Sequence, residues 1–498
     1  MRTALFISTL VVILHTQVFS QSLADQGCGT PGDYPEWLAG YLANDHNFHA
    51  RNADEVIYLP LAVHTLGDDK GEGHYSILKI FESICRLNED FEPFNIQFFL
   101  KGDVNRINRS RYYEHDNFSD GFQMMQSYKK TLAINTFITA SAPSDACGYY
   151  HPSADGIVVI KNCMGGSAHT WTHEIGHWLS LPHTFSGWEG KDYDPKDETP
   201  LFHGVSGRDT IFVESVSGKN CHKAADRFCD TSPDYLSIGW NCRSESSESL
   251  IVQKDPFGDD FRSDGSNYMS YSTDNCQSQF SLGQIDAMRA YIDFAKNFYV
   301  DQGLPFNDVA PVPVGISFPL DDDKIHYQSV DLEWQHHPNA THYLVQISRF
   351  SFFAVIDYEF VVEGNKIDIG DLPVDKKYYW RIMPYNPYDF CGEFTDAGGF
   401  STYDITAIEE IDASNGVEIY PTLLQKNISD LFIQFDFQEI LTTRVTLYDV
   451  TGSLVMQRTL ENPGRQLVEL AAHQLPAGMY LLTIATARGN LVKKISVQ

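Results

Sequence analysis

Residues 173–183 read HEIGHWLSLPH, and this stretch decides both the fold and the chemistry. On a helix, His173 and His177 lie one turn apart on the same face, so their two imidazoles can reach one metal ion. Glu174 is offset around the helix and reaches a water on that metal. The alternative, a surface helix with two solvated histidines, is disfavoured by the apolar residues of this stretch. The pattern therefore predicts a metal-binding helix in the core.

The chain after this helix supplies a third candidate ligand. Because Pro182 bars continuation of the helix, we expect it to end after Leu179 and to bring His183 up to the metal. Three neutral nitrogens leave the fourth position of a zinc ion open for water, which is the catalytic arrangement. Zinc lowers the pKa of that water, and we expect Glu174 to take its proton as general base.

The spacing H-E-x-x-H-x-x-G-x-x-H is the zinc signature of the metzincin peptidases, and this stretch resembles it. Ser180 stands where the family has glycine, at a turn that often has positive φ. Metzincins also carry a methionine turn beneath the metal, and Met269 in NYMSYS fits it. Tyr271 matches the family tyrosine that stabilises the oxyanion. The alternative for these two residues is a buried methionine and a core tyrosine.

Finer features resemble the pappalysin (cytophagalysin) branch over roughly residues 28–300. They are HEIGHWLSLPHTF, CDTSPD at 229–234 and NYMSYSTDNCQSQFS. The resemblance implies an α/β metzincin catalytic domain, with a twisted mixed sheet and an active-site helix. It further implies a secreted zinc-dependent endopeptidase acting on proteins or peptides. In this branch calcium is structural, and Asp226 and Asp230 are candidate ligands, with a solvated acidic loop as the alternative.

The chain has nine cysteines, an odd number that leaves at least one thiol outside an intramolecular disulfide. Cys147 and Cys163 flank the strand before the active-site helix and are expected to pair. The resemblance implies two further pairs in the loops that follow the third histidine. These pairs are Cys221–Cys242 and Cys229–Cys276.

The three remaining cysteines have different expected roles. The segment Cys28-Gly29-Thr30-Pro31 resembles the family's pro-segment motif, in which a thiolate occupies the open zinc position and keeps the zymogen silent. Gln26 stands where the family usually has arginine. Cys85 offers Cys28 a disulfide partner, so the sequence leaves a latency switch and a plain disulfide as equal alternatives. Cys391 has no partner within its own domain and is expected to be the free thiol.

Composition and the N-terminus indicate export. The formal net charge of -30 argues against nucleic acids and anionic membranes as partners. Residues 1–20 resemble a signal peptide with cleavage after Ser20, and no other segment is long and apolar enough to cross a membrane. We therefore expect a protein that is secreted or lies on the bacterial cell surface, without a transmembrane segment.

The pattern along the chain predicts three domains after the signal peptide. Expected boundaries are 21–54 for a leader or pro-segment, 55–304 for the peptidase, 311–402 for a first all-β sandwich and 417–498 for a second. Within the peptidase, strands are predicted over 56–63, 94–100, 131–140 and 156–160, and helices over 75–87, 167–180 and 281–299. Residues shaping substrate preference are expected in the loops from 185 to 265.

The two C-terminal modules each resemble a known family. In the first, Val330 to Trp334, Leu372 and Tyr378 keep the spacing of a fibronectin type III domain. The second resembles the C-terminal sorting domain of type IX secretion, through VEIYPT at 417–422, VTLYDVTGSLV at 445–455 and LPAGMYLLTI at 475–484. This resemblance implies the type IX secretion machinery as a partner.

A binding protein with an inactive peptidase fold is the competing function. Inactive relatives commonly lose the glutamate or a ligand. Glu174 and all three histidines are present here, so the sequence favours an active enzyme.

Overall fold

A computed structural model of the 498-residue chain describes eleven stretches of it. They are residues 28–30, 35–43, 55–204, 210–300, 310–321, 323–404, 416–425, 430–437, 442–461, 463–486 and 489–498. The expected signal peptide lies outside the described residues. The chain forms two compact units, the first comprising Met1–Asp308 with Pro387–Cys391 and the second Val309–Asn386 with Gly392–Gln498. No helix in these stretches is both long and apolar enough to cross a bilayer.

A six-stranded mixed sheet forms the centre of the first unit. Its strand order is β2-β1-β4-β6-β5, and β3 pairs with β1. The strands are β1 (Ile57–Gly67), β2 (Ile96–Leu100), β3 (Asn105–Asn108), β4 (Ile134–Thr139), β5 (Gly148–His151) and β6 (Gly156–Ile160). All neighbours are parallel except β5, which runs antiparallel to β6 at the edge. The expected mixed sheet is confirmed, and every side chain of β4 and β6 is buried.

Helices accompany this sheet. They are α1 (Glu36–Ala43), α2 (Ile77–Phe91), α3 (Ser110–Tyr113), α4 (Phe118–Tyr128), α5 (Thr170–Trp178) and α6 (Leu282–Tyr291). A capping box of Ser281 and Gln284 starts α6, because each side chain accepts a hydrogen bond from the other's backbone N–H. The predicted helix over 281–299 is α-helical only to Tyr291, and a π-helical turn, Ile292–Lys296, follows it.

A partly buried ion pair lies behind α5, with the side chain of Lys296 7% exposed and that of Asp155 32% exposed. The ammonium of Lys296 is 2.7 Å from Asp155 Oδ1, and the hydroxyl of Tyr299 donates to the other oxygen at 2.6 Å. Lys296 also lies 4.3 Å from the ring centroid of Trp178, the last residue of α5. Burial alone would raise the pKa of Asp155, but the Lys296 charge and these hydrogen bonds hold it below its ordinary value. The turn after α6 is thereby joined to the end of α5.

Two disulfides involve the sheet and its helices. Cys147 pairs with Cys163, which is the predicted bond. Cys85 on α2 pairs with Cys391, so both the expected free Cys391 and the Cys28–Cys85 alternative are wrong. The local sequence does not reveal this pairing, because it depends on packing between distant segments. Pro387–Cys391 belongs to the first unit, and the ring centroid of Phe390 lies 5.5 Å from that of Phe81 on α2.

In the described part of the loops after the third histidine, every strand is two residues long. These are β7 (Phe202–His203), β8 (Ile211–Phe212), β9 (Gln253–Lys254) and β10 (Asp260–Phe261). The predicted pairs Cys221–Cys242 and Cys229–Cys276 are wrong, because the structure joins Cys221 to Cys229 and Cys242 to Cys276. A tight turn with positive φ at Ala225 and Arg227 brings the first pair together. A bridge between Trp240 and Ser272 places the second pair side by side.

The second unit consists of β-structure in two modules, as expected. The first module has β11 (Ile316–Phe318), β12 (Asp323–His326), β13 (Asp331–Trp334), β14 (His342–Ser348), β15 (Tyr358–Glu363), β16 (Lys366–Asp368), β17 (Lys377–Tyr385) and β18 (Gly398–Tyr403). The second has β19 (Val417–Tyr420), β20 (Leu423–Leu424), β21 (Leu431–Asp436), β22 (Thr443–Asp449), β23 (Leu454–Leu460), β24 (Arg465–Leu470), β25 (Gly478–Thr486) and β26 (Gly489–Val497). Each module packs a three-stranded sheet on a five-stranded one around its own core.

Candidate active site

Three imidazoles converge at one point. His173 and His177 lie one turn apart on α5, and His183 follows the end of that helix. The Nε2 atom of His177 is 3.1 Å from Nε2 of His173 and 3.1 Å from Nε2 of His183. All three side chains are buried. This spacing fits three ligands of one small cation rather than three separate contacts.

The other ring nitrogens fix the tautomer of the two helical histidines. His173 Nδ1 lies 2.7 Å from the carbonyl oxygen of Tyr268, and His177 Nδ1 lies 2.8 Å from that of Leu181. Because a carbonyl only accepts, both Nδ1 atoms carry the proton and both Nε2 atoms present a lone pair. Burial lowers the pKa of His173 to about 3 and holds the pKa of His177 well below its ordinary value. Neutral imidazoles are the ligands that zinc prefers, so the residues present fit this metal.

A left-handed residue redirects the chain after α5. Ser180 has φ of 75°, the conformation expected where the family carries glycine. The N–H of Leu181 donates to the carbonyl of Gly176, and the N–H of Ser180 donates to that of His177. This closure of the helix end turns the chain back, so that His183 faces the two helical histidines.

The methionine segment lies directly beneath the helix. A Cβ atom built on Gly176 would fall 2.4 Å from the sulfur of Met269, so only glycine lets Met269 approach the helix this closely. The preceding residue, Tyr268, supplies the carbonyl that accepts from His173. Met269 itself is fully buried. The segment thus supports the histidines from below, as the sequence predicts for a Met-turn.

Glu174 lies under the edge strand β5. Its side chain is fully buried, and burial raises the pKa of its carboxyl to about 8. A Cβ atom on Gly148 would lie only 3.0 Å from Glu174 Oε1, so the strand passes close over the carboxylate. The hydroxyl of Thr30 donates to the other oxygen, Oε2, at 3.1 Å.

Residues 28–30 run along β5 and enter the site. The N–H of Gly29 donates to the carbonyl of Gly148 at 2.7 Å, and the hydroxyl of Tyr271 donates to the carbonyl of Cys28 at 2.8 Å. The Cys28 sulfur and the ligand nitrogens of the three histidines all lie within 4.8 Å of one another. Cys28 is also the one cysteine of the chain outside a disulfide, and all nine are among the described residues.

Two buried aspartates that the sequence analysis missed tie the site together. Asp234 accepts from the hydroxyls of Thr184 and Ser270, which follow the third histidine and Met269. Asp90 on α2 accepts from the hydroxyl of Tyr268 at 3.1 Å. Asp234 ends the CDTSPD motif, so the resemblance marked its position without a role. Asp90 carries no signal of its own in the sequence.

The two calcium candidates have different surroundings. Asp230 accepts from the hydroxyl of Ser281 and the N–H of Gly283, so it caps the start of α6. Asp226 is fully buried, which raises the pKa of its carboxyl to about 8. Burial, together with the charge of Asp226, raises the pKa of Glu214 to about 9. The solvated-loop alternative is therefore wrong for Asp226.

A cleft of about 630 Å³ opens beside the histidines. Its walls come mainly from residues 162–170 and 270–277, and Glu174 and His173 also line it. Among the described residues of the loops from 185 to 265, Gly239 is the one that lines this cleft. The segments next to α5 and the Met-turn thus form most of this cleft, and the contribution of the 185–265 loops to substrate preference stays a prediction.

This combination defines a class of protein. A mixed sheet over a helix, three converging neutral imidazoles and a supporting methionine are the arrangement of a zinc-dependent metallopeptidase. Residues 156–293 match the family model described as Pregnancy-associated plasma protein-A, that of the pappalysin peptidases. Residues 418–498 match the model of the Secretion system C-terminal sorting domain. The chain thus carries a metalloendopeptidase domain of the pappalysin type, matched over residues 156–293, and a sorting domain over residues 418–498.

Parts of the chain are also similar to individual proteins. An extracellular metalloprotease of Colletotrichum graminicola is 25% identical over 299 residues, which are 55% of this chain and 92% of that relative. A Tannerella forsythia promirolysin mutant matches 55% of this chain and 96% of its own, with 20% identity and a TM-score of 0.37. The FN1–FN3 domains of chicken CNTN1 match 38% of this chain and 66% of theirs, with 13% identity and a TM-score of 0.17.

The sorting domain and the extracellular relatives agree on the destination of the protein. It is secreted or exported to the cell surface. The fibronectin type III identity of the first β-module remains a prediction.

Proposed function

We propose that this protein is a secreted zinc endopeptidase in which Glu174 is the general base for a metal-bound water. The observation that carries the proposal is the convergence of three imidazoles, with Nε2 of His177 3.1 Å from Nε2 of both His173 and His183, and with Glu174 one residue after the first ligand. His173, His177 and His183 would hold the metal. Bound zinc supplies an acidified water and polarises the scissile carbonyl.

The contacts of residues 28–30 support the roles of the chain's own groups. Tyr271 already donates its hydroxyl to a peptide carbonyl, that of Cys28, and in turnover it would donate to the carbonyl oxygen of the substrate. Gly148 already accepts from a backbone N–H, so an extended substrate would pair with the edge strand β5. Glu174 would receive the proton of the attacking water.

The same contacts support latency in the uncleaved chain. The Cys28 sulfur lies among the three imidazoles, while Thr30 donates to Glu174. We propose that this segment silences the enzyme by occupying the open metal position and the general base together. Removal of residues 28–30 by cleavage would then activate it.

Metal content and proteolysis test the proposed function. We expect purified full-length protein to hold one zinc and, after limited proteolysis removes the N-terminal segment, to cleave casein in a chelator-sensitive manner. If the purified protein contains no zinc, the three histidines do not form a metal site. The competing hypothesis, a binding protein with an inactive peptidase fold, would then be favoured.

Latency has its own prediction. Cys28→Ala should raise the activity of uncleaved protein by at least about tenfold, since the thiolate no longer fills the ligand position. Cys28→Ser is the matched control, because its hydroxyl keeps the size but is a poor zinc ligand and should activate as well. Activation is measured as the initial rate of casein cleavage, and an unchanged rate in both variants would contradict the switch.

We also propose a structural calcium site, with a ligand set that differs from the one that the sequence suggested. Asp226 remains a candidate, Glu214 joins it, and Asp230 is disfavoured because it caps α6. Calcium chloride should raise the melting temperature of the wild type and of Asp230→Asn but not that of Asp226→Asn.

The sorting domain implies the secretion machinery as a partner, and we propose that this machinery is the type IX system. The match over residues 418–498 supports it. Deleting these residues should leave the peptidase inside the cell, as measured by its distribution between cells and medium.

A further inference from the structure

The third histidine lacks the backbone partner that the other two have. Its Nδ1 atom is buried and, within the described stretches, makes no hydrogen bond. The nearest acidic group is the carboxylate of Glu189, whose Oε1 lies 3.6 Å away. That oxygen is also buried without a hydrogen bond in the described part of the chain. Two complementary atoms, a ring N–H and a carboxylate oxygen, therefore face each other.

The turn after His183 holds Glu189 in this place. Its second oxygen, Oε2, accepts from the N–H of Gly187 at 2.7 Å. Gly187 has φ of 99°, and a Cβ atom there would lie 3.0 Å from Ile211, so the turn requires glycine. Lys191 donates to the carbonyl of Gly187 at 2.6 Å and closes the turn from the other side. The carboxylate is thus oriented by its own loop.

The geometry points to Glu189 as a positioning residue for the third zinc ligand, and we propose that its carboxylate accepts the Nδ1 proton of His183. The inference rests on the proposed zinc site. The present 3.6 Å separation is longer than a hydrogen bond, and a shift of less than 1 Å would complete one.

A carboxylate in this place has two consequences for the metal. It fixes the tautomer in which His183 Nε2 offers its lone pair, and it makes that nitrogen a stronger donor. It also brings one negative charge to a site whose three ligands are neutral. Loss of such an outer partner typically weakens metal binding 10–100-fold. His173 and His177 need no equivalent, because backbone carbonyls already accept their Nδ1 protons.

Zinc affinity tests the proposal directly. The experiment uses full-length protein carrying Cys28→Ala, so that no thiol contributes, and measures the zinc dissociation constant by competition with a chelator of known affinity. We expect Glu189→Gln to weaken zinc binding about 10–100-fold. The glutamine keeps the size and an acceptor for Gly187, but it loses the charge. Glu198→Gln, which removes an exposed charge further along the same loop, should leave the affinity unchanged.

The outcomes separate this inference from the proposed function. If the parent binds no zinc, the zinc site itself fails. If the parent binds zinc and Glu189→Gln binds it equally well, the positioning role is overturned while the enzyme stands. If Glu198→Gln weakens zinc binding as much as Glu189→Gln does, the loss reflects the net charge of the protein. That result would also overturn the positioning role of Glu189. If Glu189→Gln folds poorly by circular dichroism, Glu189→Asp replaces it, since the shorter carboxylate keeps the charge but withdraws from His183 and should also weaken binding.

Discussion

The two histidines on α5 and the histidine beyond it are held by different means. His173 and His177 point their Nδ1 atoms at backbone carbonyls, and their spacing follows from one helical turn. His183 depends on a left-handed serine, on a turn that presents Glu189 and on the Thr184–Asp234 hydrogen bond. The helical half of the site is therefore defined by main-chain geometry, whereas the loop half is defined by side chains.

The two kinds of support predict where the site tolerates substitution. A carbonyl partner survives any substitution that leaves the backbone in place. A single mutation removes a side-chain partner. Because such partners position His183, their loss should weaken metal binding. Variants in the helical half should thus change chemistry or global stability, and variants in the loop half should change metal affinity and local strain.

The largest effect is expected for the general base in the helical half. Glu174→Gln should lower turnover about 10²–10⁴-fold, because proton transfer from the water is lost while the ligands remain. The measurement is the rate of peptide cleavage together with zinc content. His177→Ala is the contrasting variant, since it should lose the metal itself. If Glu174→Gln kept wild-type turnover, Glu174 would not be the general base.

A second prediction concerns the support behind α5. Asp155→Asn leaves the buried ammonium of Lys296 without its charged partner. Removing one member of a fully buried pair costs about 3–5 kcal/mol. Because 32% of the Asp155 side chain is exposed, solvent screens this pair, and the free energy of unfolding should fall by less, about 1–3 kcal/mol. Urea denaturation measures it. A change below about 1 kcal/mol would show that water replaces the pair.

The pH dependence of that difference sharpens the same prediction. Because the pKa of Asp155 is lowered on folding, its stabilisation is present above the ordinary aspartate pKa near 4 and is lost as the pH falls through the lower folded value. The stability gap between wild type and Asp155→Asn should thus be full at pH 6 and shrink below pH 4. A gap that stays constant would point to packing rather than charge.

The smallest effect is expected at the junction between the two halves. Ser180 has positive φ, which strains any residue except glycine. Ser180→Gly removes this strain and should raise the free energy of unfolding by up to about 1 kcal/mol. Thermal unfolding of the metal-free protein measures it, and Ser186→Gly is a control elsewhere in the loop half. Destabilisation by Ser180→Gly would mean that the serine makes a contact worth more than the strain.

The helical half is also the part that the sequence predicted best. HExxH spacing and helix-breaking Pro182 are local signals, so the positions of His173, Glu174 and His177 follow from helix geometry alone. Strand β6 was predicted with its observed bounds because every residue in it is apolar. The role of Met269 came from family resemblance, and Gly176 explains why it fits.

What failed depends on contacts between distant segments. Cys85 and Cys391 are 306 residues apart, and no local pattern connects them. The loop disulfides were transferred from the family, and a short turn at Ala225 joins Cys221 to Cys229 instead. Glu189 was missed because an isolated acidic residue in a loop has the same pattern whether it is solvated or faces a histidine. Asp234 was missed because the CDTSPD motif marked its position but not its hydrogen-bond partners, Thr184 and Ser270.

The Cys85–Cys391 bond also changes what a cut in the chain achieves. Any single break between these two cysteines leaves both fragments covalently attached, so it shows on a reducing gel but not on a non-reducing one. A break after Cys391 instead frees everything that follows it. Trimming the sorting domain is therefore a true release, whereas nicking the stretch between the peptidase and the first β-module keeps that module tethered to the catalytic unit.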